Sequence, residues 1–151
     1  MKAQDVMIHD VYHVTETDSI RTVIQQFITH EISGLPVVND QKELIAYISD
    51  GDIMRYIGKH KDIVVDSLYF VNVVEGDKEG FLEKAEQVLD LPVLNIAKKK
   101  VIKVAWDEEV ENIATILGKR KIKKLPVEKD GKLVGIVSRG DVIRHTFKNF
   151  L

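Results

Sequence analysis

A chain of 151 residues with 44% hydrophobic and 30% charged content has the make-up of a soluble globular fold of about one domain. Its 22 basic and 24 acidic residues nearly cancel, so no overall field recruits nucleic acid or an anionic membrane. The lack of cysteine removes disulfides, thiolate metal sites and a cysteine nucleophile; with no apolar run of signal-peptide or membrane-spanning length, the cytoplasm is the expected location.

The first predicted strand is VYHV at residues 11–14. DSIRTVIQQFITH at 18–30 follows, with apolar residues at helical spacing behind an acidic start, where the helix dipole favours negative charge. LPVV at 35–38, a polar turn, and ELIAYIS at 43–49 read as a hairpin, and DGDIMRYIGKH at 50–60 as a second helix. In the centre, SLYFVNVVEG at 67–76 has the β-branched and aromatic content of a strand, and DKEGFLEKAEQVLDL at 77–91 reads as a helix with Phe81, Leu82, Ala85, Val88 and Leu89 on one side. This stretch lacks the composition of a linker, so it is expected to be an ordered insertion.

Beyond it the first pattern returns as VIKV at 101–104, DEEVENIATILGKR at 107–120, LPVE at 125–128, KLVGIVS at 132–138 and RGDVIRHTFKNF at 139–150. Val14-Thr15 register with Val104-Ala105, Ile20 with Val110, Phe27 with Leu117 and Leu35-Pro36-Val37 with Leu125-Pro126-Val127, at an offset of 90. The offset becomes 89 at Ser49/Ser138 and Asp52/Asp141, because NDQKEL is one residue longer than KDGKL. Such a slip is tolerated in a hairpin turn. Asn95-Ile96-Ala97 align with Asp5-Val6-Met7, which assigns a lead-in segment to each copy.

The predicted architecture is therefore α/β of the α+β kind, two β-α-β-β-α repeats at 2–60 and 95–149 with an ordered β/α insertion at 61–94. One copy of about 55 residues is marginal alone, since its helices cover one sheet face only. Two copies packed sheet to sheet around a pseudo-two-fold axis close the core and create two related clefts.

This repeated unit, with LPV before the hairpin and G-I-V-S-x-x-D at the start of its last helix, resembles the cystathionine-β-synthase (CBS) domain, and two in tandem resemble a CBS pair, or Bateman module. The resemblance implies a stand-alone regulatory module, not an enzyme, that binds an adenosine-containing ligand (AMP, ATP, cyclic di-AMP or S-adenosylmethionine) in the inter-repeat clefts. It further implies a homodimer and a client protein that the sequence does not name. A ligand-independent dimerising adaptor is the competing expectation.

Two readings of Ser49-x-x-Asp52 and Ser138-x-x-Asp141 stay open at this point. A serine followed three residues on by an acid is a capping box. The same helix start offers N–H groups and partial positive charge to a phosphate, while a carboxylate can accept the hydroxyls of a ribose. The resemblance assigns the ribose to Asp52 and Asp141 and the phosphates to the neighbourhood of Ser49 and Ser138. Arg55 and Arg144, three residues on, are either phosphate contacts or intrahelical ion partners of those acids.

Lys123 and Lys124 immediately precede Leu125-Pro126-Val127, where the resemblance expects contact with phosphates; the first copy has Ser33-Gly34 there, so its cleft lacks both cations. Thr15, Ala105, Ile48 and Val137 are the candidates for an adenine slot, although each is also an ordinary core position. Pro126 and Arg139 complete the expected lining of the second site. Ala46 replaces the glycine found at Gly135, and its methyl is expected to crowd a base in the first site.

His9 and His13 are spaced i, i+4 but fall in predicted loop and strand, and are expected to be surface residues with no metal. No HExxH, P-loop or nucleophile elbow is present, and no catalytic residue or cofactor other than the regulatory nucleotide is expected. Lys98-Lys99-Lys100 with Lys103 reads as a solvated run, with neither nucleic acid nor membrane as partner. Trp106 is either a peripheral apolar contact or part of a cleft rim.

Overall fold

The computed structural model of the chain describes residues 1–60, 63–66, 71–74, 76 and 78–151. In chain order its elements are α1 (Ala3–Val6), β1 (Val14–Thr15), α2 (Ile20–His30), β2 (Gly34–Val38), β3 (Leu44–Ser49), α3 (Asp50–Ile57), β4 (Ile63–Asp66), β5 (Val71–Val74) and α4 (Phe81–Val88). A single 3-10 turn (Val93–Asn95) leads to β6 (Val104–Ala105), α5 (Val110–Lys119), β7 (Lys124–Lys129), β8 (Lys132–Ser138) and α6 (Arg139–Phe147). The two three-stranded sheets are ordered β1-β2-β3 and β6-β7-β8, each opening with a parallel pair: Val14 faces Val37, and Val104 faces Val127. The mixed α/β architecture with two copies of one β-α-β-β-α unit is as expected.

By contact density the chain divides into two compact units, Met1–Glu16 with Leu35–Tyr47 and Lys98–Leu151, and Thr17–Gly34 with Ile48–Ala97. In the first, the core of the second copy gathers Val110, Ile113 and Leu117 from one stripe of α5, Leu125 and Val127 from β7, Val137 from β8 and Val142 from α6. Removing a Leu, Ile or Val side chain from water contributes about 1.5–3 kcal/mol, which accounts for the apolar spacing of these elements. Ala3 and Val6 of α1 complete this same cluster.

The lead-in segments are thus exchanged between copies. Residues 1–8 bond to the second copy, through Ala3 N–H to the Glu108 carbonyl (2.8 Å), Gln4 N–H to the Trp106 carbonyl (2.9 Å) and a reciprocal pair between Ile8 and Ile136 (2.9 and 3.0 Å). In the other unit, the segment before the second copy bonds to the first: Ile20 N–H to the Leu91 carbonyl (2.9 Å) and Val93 N–H to the Asp18 carbonyl (2.9 Å). Registration of the two copies places a lead-in before each; only the fold shows which copy receives it.

The one-residue slip lies in the hairpin turns. In the first copy the Asn39 carbonyl accepts from Lys42 N–H and Lys42 adopts φ 62°, a three-residue loop whose last residue is left-handed; Asn39 Oδ1 also accepts from Gln41 and Glu43 N–H. In the second copy Asp130 and Gly131 both have positive φ (52° and 79°) between the paired Lys129 and Lys132, which is a two-residue turn. Each loop is of a type that matches strand twist, so the extra residue is taken up in the loop; the β7–β8 ladder separately shifts register between Val127 and Glu128.

Three sequence expectations change. The strands predicted at VYHV and VIKV contract to β1 and β6; Val11 to His13 form no ladder, and the Val11 carbonyl bonds His13 Nδ1 at 2.9 Å. In the insertion, β5 covers part of the predicted strand, while Ser67 to Phe70 and Glu75 lie outside the described residues; β5 pairs antiparallel with β4, which was not anticipated. The helix α4 forms, but with a different inner face. Phe81 and Leu82 are 60% and 79% exposed, whereas Lys84 and Val88 are buried.

Candidate functional site

Strand β8 runs directly into α6, and the junction is a closed polar ring. Ser138 Oγ accepts from Asp141 N–H at 3.1 Å and donates to Asp141 Oδ2 at 2.8 Å, and Ser138 N–H donates to the same oxygen at 2.8 Å. Asp141 is 6% exposed, and its other oxygen, Oδ1, accepts from Arg144 Nη2 at 3.0 Å. Arg144 itself is largely exposed, so the pair contributes at most about 1 kcal/mol. A Cβ on Gly140 would stand 2.8 Å from Arg144 Nη1, so the glycine leaves room for the guanidinium to fold back over the first turn.

The first copy repeats this ring at the start of α3. Ser49 N–H and Oγ donate to Asp52 Oδ2 (2.9 and 3.1 Å), Ser49 Oγ accepts from Asp52 N–H (3.4 Å), and Arg55 Nη2 donates to Asp52 Oδ1. Asp52 is 7% exposed. Both S-x-x-D units are therefore capping boxes, and both arginines are the ion partners of their aspartates. In each ring Oδ2 is bonded in the helix cap while Oδ1 accepts from a solvent-exposed arginine.

Of the other predicted ligand residues, those of the second copy fall in one unit. Lys124 stands directly across the β7–β8 ladder from Ser138 and is half-buried; Lys123 is exposed beside it. Ala105 is exposed at the end of β6. Arg139 is exposed and donates to the Arg120 carbonyl at 3.2 Å. Pro126 is buried opposite Ile136, and Val137 is fully buried in the core, so Val137 presents only its backbone to a ligand. In the first copy Ile48, Ser49, Asp52 and Arg55 lie in one unit and Thr15 in the other; Ile48 is fully buried. The Ser33 carbonyl there accepts from Asp50 N–H at 2.8 Å, which ties the residues before LPV to the helix start.

Gly135 has a packing reason of its own. A Cβ on Gly135 would stand 2.8 Å from Met7 Cγ and 3.1 Å from the Ile8 carbonyl oxygen, so the glycine admits the lead-in segment. Ala46 is fully buried, so its methyl is a core group. Met7 is the partner that sequence reasoning missed, because its role appears only when the lead-ins are seen to exchange. Trp106 is a peripheral contact of the second-copy core, with Lys129 Nζ 4.3 Å from its ring centroid. A hollow of about 250 Å³ lined by His9, Tyr12, His13, Val38, Lys42 and Leu133 contains none of the predicted ligand residues. Among the described residues no group of three or more His, Asp or Glu side chains is placed to hold a metal.

The family model of the CBS domain matches residues 3–59 and again 93–148. The protein MJ1426 of Methanocaldococcus jannaschii is 32% identical over 95% of this chain and 89% of its own length. A second protein of that organism, MJ1225, is 24% identical over 93% of this chain, but the chain spans only 41% of it. Among solved structures, that of CBSX2, a protein of Arabidopsis thaliana, in complex with AMP is similar over 99% of this chain and 98% of its own, with a TM-score of 0.74 at 22% identity.

Proposed function

Because the chain belongs to the CBS-domain family, matched separately over both copies of its repeat, we propose that it is a regulatory adenine-nucleotide-binding module, of the AMP, ATP, cyclic di-AMP or S-adenosylmethionine class, that signals to a partner protein through its conformation or dimer geometry. Repeat 1 is residues 2–60, the insertion 61–94 and repeat 2 residues 95–149. The observation that carries this reading is the twice-built ring: a buried carboxylate with one oxygen bonded in a helix cap and the other bonded to an exposed arginine, at Asp52 and at Asp141. In the proposed complex the ribose hydroxyls take Oδ1, the arginine turns toward phosphate, and the helix N-terminus and Ser49 or Ser138 favour that phosphate. The AMP-bound structure of CBSX2 supports the choice of ligand class.

Thr15 and Ala105, with the backbones at Ile48 and Val137, are proposed to flank the adenine, and Pro126 and Arg139 to complete the second site. Lys123 and Lys124 make that site the better one for a charged ligand. The module is proposed to act in the cytoplasm as a homodimer, without catalytic groups, nucleic acid or membrane; no described helix is long and apolar enough to cross a membrane.

One observation favours a second reading, a ligand-independent dimerising adaptor. Met54 and Ile143 occupy the same position of α3 and α6, and both are exposed (61% and 57%), while the caps beside them are complete without ligand. Calorimetric titration of AMP, ATP, cyclic di-AMP and S-adenosylmethionine separates the two. At least one should bind, and Asp141→Ala should weaken it at least about tenfold, as expected for loss of charge-assisted hydrogen bonds; binding of none of the four leaves the adaptor.

A further inference from the structure

Among the described contacts of the insertion with the first copy, one is made by a buried charge. Lys84, midway along α4, is 6% exposed, and its Nζ donates to the Gly58 carbonyl at 2.5 Å. Gly58 is the C-cap of α3, the helix that begins at Ser49 and carries Asp52 and Arg55. Carbonyls at a helix C-terminus lack intrahelical donors and sit at the negative end of the dipole, so an ammonium group there makes a charge-assisted bond. Further bonds tie down the same end: Gly58 N–H donates to the Met54 carbonyl at 2.8 Å, and the Arg55 carbonyl accepts from His60 Nε2 at 2.7 Å. A Cβ on Gly58 would stand 2.9 Å from the Met54 oxygen, which leaves this turn no room to reorganise around a side chain.

A helix of eight residues is about 12 Å long. The first turn of α3 is held by the Ser49–Asp52 ring and its C-terminal end by Lys84. Arg55 lies in the last turn, and its guanidinium occupies Asp52 Oδ1, the oxygen a ribose would need. The amine of Lys84 is bonded to α3, in the same unit as α4; α6, with Asp141 and Arg144, belongs to the other unit.

We propose that Lys84 is a positioning residue for the first-copy ligand site: it braces the C-terminal end of α3 and so sets Asp52 and Arg55, making the insertion the element in which occupancy of that site is felt. The proposal rests on the nucleotide-binding function above. It gives the two sites different control, since the brace acts on the Asp52 site alone. Reciprocity then requires that a ligand at Asp52 stabilise α4 by the same factor by which the brace strengthens binding.

The test uses AMP as probe in two backgrounds. In Asp141→Ala protein, which retains the first-copy site, Lys84→Met is expected to weaken AMP binding by roughly threefold to thirtyfold, with Lys84→Arg restoring most of it. In the same background with Lys84 intact, AMP is expected to slow hydrogen exchange of residues 81–88, and in Asp52→Ala protein to leave it unchanged; this second measurement does not depend on the Lys84 variant folding. Unaltered AMP affinity in Lys84→Met, or no AMP-dependent protection of α4 where AMP binds at Asp52, overturns the brace while leaving the nucleotide reading intact. Failure of the unsubstituted protein to bind AMP, ATP, cyclic di-AMP or S-adenosylmethionine overturns both.

Discussion

Met7, near one end of the chain, lies against Gly135 in β8, and a Cβ on that glycine would approach Met7 Cγ to 2.8 Å. The aligned residues of the other copy are Ala97 and Ala46.

Gly135→Ala is therefore expected to cost about 1–3 kcal/mol by overpacking. Shortening Met7 to Ala in the same chain should recover most of that loss. Urea unfolding of the two single variants and the double variant gives the coupling directly; strictly additive losses would show that Met7 is not what holds position 135 to glycine.

The exchange of lead-ins makes a second prediction. Val6 is 1% exposed within the core of the second copy, so Val6→Ala should destabilise by about 1–3 kcal/mol. Hydrogen exchange should then rise in residues 110–117 and 137–142, which share that core with Val6, before it rises in 20–30. The reverse order contradicts the exchange.

At the helix start of the second copy, Ser138→Ala removes the group that caps Asp141 N–H and is expected to cost about 1 kcal/mol in thermal or chemical unfolding. Arg144→Ala should cost no more than about 1 kcal/mol, since the arginine end of its pair with Asp141 is exposed. A larger loss in Arg144→Ala would mean that the arginine is bound more firmly than its exposure implies.

Lys123→Ala and Lys124→Ala should weaken ATP or AMP binding by about three- to tenfold while leaving adenosine nearly unaffected, because a phosphate is what an ammonium group recognises. Calorimetry with the nucleoside and its nucleotides in parallel provides the comparison. A uniform loss across all three ligands points instead to disturbance of β7, where Lys124 pairs with Ser138.

Much of this protein is written locally. The S-x-x-D caps form because Ser and Asp three residues apart can only close that ring at a helix start, and the hairpins form because Lys42 on one side and Asp130-Gly131 on the other accept positive φ. The helical stripe of Ile113 and Leu117 is likewise legible from spacing alone. By contrast α4 misleads: its apolar residues Phe81 and Leu82 are exposed and Lys84 is buried, with its amine donating to a carbonyl at the end of α3.

From the sequence by itself came the doubled unit, its element order, the position of both ring motifs and the difference in cations before the two LPV triplets, all carried by interactions within a few residues of one another. What the tertiary structure decided is which copy each lead-in completes, how closely Met7 approaches Gly135, and that Lys84 of the insertion holds the far end of the Asp52 helix. Those outcomes depend on contacts between residues distant in the chain, where hydrophobic burial is non-directional and a buried charge settles wherever an unsatisfied carbonyl waits.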